Sequence, residues 1–209
     1  LENEGRNITN LKAYKDRIQP VIDSLGKDLY GDEFGTVNND MTSKYGLEKA
    51  PITNDIQLAS GLFSIGNAKL SDDTLIINLT SALKCPSVAV CPVTQQACYA
   101  VAGELRIPEV RRKNLKVQNM WIKAIKNNKI GEVFGIAQMY IEILQKSKKP
   151  IKYVRFNEAG DFLNQDTLDA AALFASTIRK KYGVISMAYT ANRRLDFTKE
   201  IDGQPIDKI

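Results

Sequence analysis

Cys85, Cys91 and Cys98 are all the cysteines of this 209-residue chain, and they fall within fourteen residues as C-x5-C-x6-C. There is no histidine. A closed structural zinc site takes four ligands, usually Cys or His, so zinc here needs a carboxylate, a water or a second subunit as well. An iron–sulphur cluster with full protein ligation uses four cysteines. Held by three, a [4Fe-4S] cluster keeps one iron open to an outside ligand. That opening suits a cluster that grips and reduces S-adenosylmethionine, or one whose open iron acts as a Lewis acid. Packing is the third reading, because cysteine is often a small buried hydrophobe. Pro86 follows Cys85 and Pro92 follows Cys91, which puts these thiols in a loop, where packing explains them poorly. The iron–sulphur reading is favoured, with zinc and free thiols as alternatives. A histidine acid, base or triad is excluded, and no phosphate-binding glycine fingerprint is present.

The elements that position this loop can be read from the apolar pattern. "TLIINL" (Thr74–Leu79) is β-branched and apolar, as a buried strand requires, and it leads straight into the cysteine loop. Leu115, Met120, Trp121, Ala124 and Ile125 recur near helical spacing over Val110–Asn128, with Trp121 expected in the core. A second helix is expected over about Glu132–Lys146 and a third over Asp166–Lys181, closed by Gly183. Between them, "IKYVRF" (Ile151–Phe156) and "VISMAY" (Val184–Tyr189) read as strands. This alternation predicts an α/β fold with a parallel β-α-β-α-β core, in effect half of a TIM-like barrel. The loops "EAGDF" and "TANRR" also follow strands, so all three distinctive loops gather at the carboxyl edge of the sheet, where α/β proteins bind ligands. Residues 1–65 read as an irregular arm, with a short helix near "NLKAYKDRIQPVIDSLG", and 66–209 as the α/β domain.

Charge and composition bound the partners. Residues 1–60 carry a net three negative charges, so the rest of a chain of net charge +5 holds +8, densest from Arg106 to Lys129. That stretch is either a solvated helix face or a surface for a nucleic acid or nucleotide. No run is long and apolar enough for a membrane span. "LENEGRNITN" lacks the features of a secretory leader, so a cytoplasmic location is expected, that of the host cell if a phage encodes the protein. The chain opens on Leu1, and a start upstream of it is expected. Asp161 is a candidate ligand contact or a turn residue. Arg155 is expected to point outward or to pair with Glu158 or Asp161, and Arg193 and Arg194 to sit in a solvated turn.

"GNAKL" (Gly66–Leu70), "CP" at Cys85, "CYA" at Cys98, "PEVRRKN" (Pro108–Asn114), "VRFNEAGDF" (Val154–Phe162) and "AYTAN" (Ala188–Asn192) occur in that order. Together they resemble the phage and mobile-element family named for gene product 88, over about residues 64–194. More distantly, the layout is similar to radical S-adenosylmethionine enzymes, which place a three-cysteine loop, an acidic glycine turn and a polar turn after successive strands. That second resemblance implies Cys85, Cys91 and Cys98 as cluster ligands, and Glu158, Gly160, Asp161, Thr190 and Asn192 as contacts to the cofactor. The cysteine spacing is wider than in those enzymes, and their barrel has more strands than are found here.

Overall fold

The computed structural model describes residues 61–87, 90–92, 98–147 and 149–208. The chain divides into a unit of residues 1–60 and a unit Gly61–Ile209. The helix expected near Asn10 lies outside the described residues.

A four-stranded sheet organises the second unit, in the order β1 (Ser64–Ile65), β2 (Thr74–Ile77), β3 (Tyr153–Phe156), β4 (Ile185–Ala188). β1 is antiparallel to β2, while β2, β3 and β4 run parallel. Between β2 and β3 come a short 3-10 turn (Ala82–Lys84) and helices α1 (Tyr99–Arg106), α2 (Pro108–Lys126) and α3 (Ile130–Gln145); α4 (Gln165–Tyr182) joins β3 to β4. A two-stranded ribbon of β5 (Glu200–Ile201) and β6 (Gln204–Pro205) follows. The α/β class and the parallel three-stranded core are as the sequence predicts. Among the described residues the sheet does not close into a barrel, and no helix is long and apolar enough to cross a membrane.

All three large helices cover one face of the sheet, because side chains alternate along each strand. Leu75, Ile77, Val154 and Phe156 point to that face and are buried. Phe156 meets Phe134 of α3 and Phe174 of α4 at ring separations of 6.2 and 6.1 Å, and Trp121 of α2 lies 4.9 Å from Phe134. Trp121 is wholly buried, as expected, and its indole N–H donates to the carbonyl of Asn78 just past β2. The α4 boundaries are set locally. Asn164 and Thr167 form a reciprocal capping box, and Gly183 closes the helix at φ 69°.

The opposite face carries Thr74 and Ile76 of β2, Tyr153 and Arg155 of β3, and Ile185 and Met187 of β4 in register. The β2 residues are buried, whereas Ile185 and Met187 on the edge strand are exposed. Arg155 is buried rather than outward-pointing.

Candidate functional site

Three loops leave the carboxyl ends of the parallel strands, and Asp161 ties them together. Its carboxylate accepts from Ser87 Oγ at 2.6 Å in the cysteine loop and from the Ala191 N–H at 2.9 Å after β4. It also accepts from the Phe162 N–H in its own loop at 2.8 Å. The Asp161 N–H in turn donates to Thr80 Oγ1 at 2.8 Å. A carboxylate is acceptor-only with two oxygens, and this one is buried with protein donors on both. Gly160, at φ 76°, lets the chain press against Thr80: a Cβ there would stand 1.9 Å from Thr80 Oγ1 and 2.5 Å from the Thr80 carbonyl oxygen. Gly160 and Asp161, expected at a cofactor, are thus engaged with the protein itself.

A second buried carboxylate launches the cysteine loop. Glu104 of α1 is fully buried and accepts from Ser81 Oγ, the Ala82 N–H at 2.8 Å, the Leu83 N–H at 3.3 Å and Asn114 Nδ2 at 2.7 Å. Gln118 adds an acceptor for the Ser81 N–H at 3.1 Å. These donors fix the Ala82–Lys84 turn, and Cys85 is the next residue. Ser87 carries the fixation onward, because its carbonyl accepts the Cys91 N–H at 2.8 Å.

All three cysteines are free thiols and partly buried. Cys98 precedes α1 and packs with Ala82, Val101 and Ala159. Burial pushes the Cys85 thiol above its ordinary range. A backbone hydrogen bond from Ser87 opposes that rise, and negative charge at Asp161, Cys91 and Cys98 adds to it. The thiols are not gathered into a ligand set. Among the described residues no three Cys, Asp or Glu side chains converge to hold a metal ion. The donor chemistry, three thiols and no imidazole, fits an iron–sulphur cluster better than a closed zinc site. The positions alone make no such centre.

The remaining expected contacts lie at the same edge. Glu158 accepts from Asn67 Nδ2 through a carboxylate oxygen and from Tyr99 Oη through its backbone carbonyl at 2.7 Å. Thr190 is exposed, and its hydroxyl accepts the Asn192 N–H at 3.0 Å. Asn192 is buried and donates to the Phe162 carbonyl at 3.4 Å. Beside Thr190, on the helix-covered side of β4, Phe156, Phe162, Ala172, Ser186 and Phe197 line an apolar cavity of about 230 Å³.

Sequence reasoning missed Thr80, Ser87, Glu104 and Asn157. A pair of hydroxyl residues, Thr80–Ser81, directly after an apolar strand was the available signal for the first. An acid inside the otherwise apolar "AVAGEL" was the signal for Glu104.

No curated protein and no solved structure matches the chain, so the likeness to radical S-adenosylmethionine enzymes rests on motif order alone. A family model does match, covering residues 53–205 and therefore the sheet, the cysteine loop and the Asp161 clasp together. The chain belongs to the gene product 88 family.

Proposed function

We propose that this phage-type protein binds an iron–sulphur cluster through Cys85, Cys91 and Cys98, at the carboxyl edge of its parallel sheet. The observation that carries the reading is that three free, partly buried thiols share that edge. Binding a cluster asks the three thiols to converge, which among the described residues they do not. When bound, a cluster held by three thiolates supplies an open iron, as a Lewis acid or as the docking point for S-adenosylmethionine. The protein's part is to anchor the loop through Glu104 and Asp161 and to offer Glu158 and Thr190 as polar contacts beside it.

The test is anaerobic purification with iron, sulphide and zinc quantified per chain, for the native protein and for a variant with all three cysteines changed to alanine. About four irons and four sulphides, lost in the variant while the fold persists, is the expected result. One zinc without sulphide would replace the cluster by a structural metal. No metal in either protein would end both readings.

The basic face of α2 favours a second reading. Arg112, Lys116, Lys123 and Lys126 recur at helical spacing and are exposed. A nucleic-acid backbone would meet such a stripe through counterion release. Affinity for double-stranded DNA would then fall steeply with salt and survive loss of the cysteines. Changing Lys116 and Lys123 to glutamine should lower it about tenfold at low salt. DNA affinity indifferent to both salt and these changes would discard this reading.

A further inference from the structure

Arg155 lies on β3, and Asn157, two positions on, is the first residue past its end. Both are more than nine-tenths buried, at 8% and 4% exposure. Arg155 stacks over the Tyr189 ring, with its guanidinium carbon 4.2 Å from the ring centre. Tyr99 donates its hydroxyl to the carbonyl of Glu158, the residue after Asn157, at 2.7 Å. Yet Arg155 Nη1 has no hydrogen-bond partner among the described residues, and neither do Oδ1 and Nδ2 of Asn157. No ion pair with a carboxylate involves Arg155 among them either.

Three orphaned polar atoms, one on Arg155 of β3 and two on Asn157 just past its end, run against the rule that buried polar groups are paired and buried charges compensated. Asn157 compounds this, because it holds φ 54°, where asparagine is tolerated but not at rest. Packing does not account for it. An apolar residue at 155 and a glycine at 157 would suit the same backbone without unpaired groups. Such clusters are retained where something arrives to complete them.

We infer that Arg155 and Asn157 form the floor of a binding site for a small oxyanion, a carboxylate or a phosphate. Arg155 Nη1 and Asn157 Nδ2 donate to the anionic oxygens. Asn157 Oδ1 accepts from a hydroxyl or amine beside the anionic group, so a hydroxy acid or a phosphate still carrying a proton fits better than a bare anion. The ring of Tyr189, stacked on Arg155 and 76% accessible, borders this site toward solvent. This site uses none of the cysteines, so its fate is separate from that of the proposed cluster.

Thermal unfolding at constant ionic strength tests the inference, with lactate, inorganic phosphate or chloride as the anion. Lactate or phosphate at 20 mM should raise Tm over chloride by about 3 °C. The arm with the larger shift identifies carboxylate or phosphate as the ligand class. Arg155→Met and Asn157→Gly should each abolish that shift. In chloride, both should keep or raise the native Tm, since each removes an unpaired buried group. Asn157→Gly also relieves the left-handed backbone, so it remains informative if Arg155→Met does not fold. Equal shifts in native and Asn157→Gly proteins would overturn the proposal. So would the absence of a shift from either anion, or a chloride Tm that falls in both variants.

Discussion

Gly160→Ala should destabilise the protein by about 4 kcal/mol, measured by urea unfolding. Two terms contribute. A non-glycine residue held in the left-handed region costs about 1–2 kcal/mol, and forcing a methyl group into a packed contact costs about 1–3 kcal/mol. The clash cannot be relieved by a rotamer change. Thr80 Oγ1 could turn away only by releasing the Asp161 N–H, and the Thr80 carbonyl oxygen, 2.5 Å from the new Cβ, belongs to the backbone. Thr80→Ala should therefore fail to rescue Gly160→Ala. A loss below about 1 kcal/mol would mean that the loops after β2 and β3 do not touch in solution.

Glu104→Ala should cost about 4 kcal/mol, in the range for removing the acceptor from a buried charged network. Its four donors come from Ser81, Ala82, Leu83 and Asn114, and among them only the Leu83 N–H has a second acceptor in the network, Ser81 Oγ at 3.2 Å. Glu104→Gln keeps the shape but turns one acceptor into an NH2 group facing donors, for about 2 kcal/mol. The two variants separate stability from loop placement. Glu104→Gln should remain folded, yet it should raise the rate at which a thiol reagent modifies Cys85, because the Ala82–Lys84 turn delivers that residue. Unchanged Cys85 reactivity in a folded Glu104→Gln protein would show that the turn is held by other means.

The core of the fold was legible because its residues report their surroundings through period and composition. Leu75 and Ile77 on β2, and Val154 and Phe156 on β3, are apolar at strand spacing. The α2–α4 stripes repeat at helical spacing, and the observed ends fall within a few residues of those expected. β1 and the β5–β6 ribbon were missed because strands of two residues are too short for a period to register. α1 was missed because it follows Cys98 and Tyr99 directly, inside what reads as a loop.

The site was legible in its location but not in its wiring. Three strand-ending loops predicted the edge, and the edge is where they meet. Which carboxylate would be consumed internally could not be read, since Asp161 and Glu158 look alike in "EAGDF". Burial decides between them: Asp161 is closed in by donors from three loops, while Glu158 stays partly open. Arg155 looked like a surface residue on an alternating strand, and only the ring of Tyr189 above it reveals a covered guanidinium.

The Asp161 clasp also has a kinetic consequence. Its bonds to Ser87, Phe162 and Ala191, together with the Asp161–Thr80 bond, span three stretches far apart in sequence. No one of those stretches can detach alone while the carboxylate holds the others. The amide protons of Asp161, Phe162 and Ala191 should therefore exchange with solvent deuterium through one shared opening event, with similar protection, although thirty residues separate the first from the last. The carboxyl edge would then behave as a single cooperative unit, opening or staying shut as a whole.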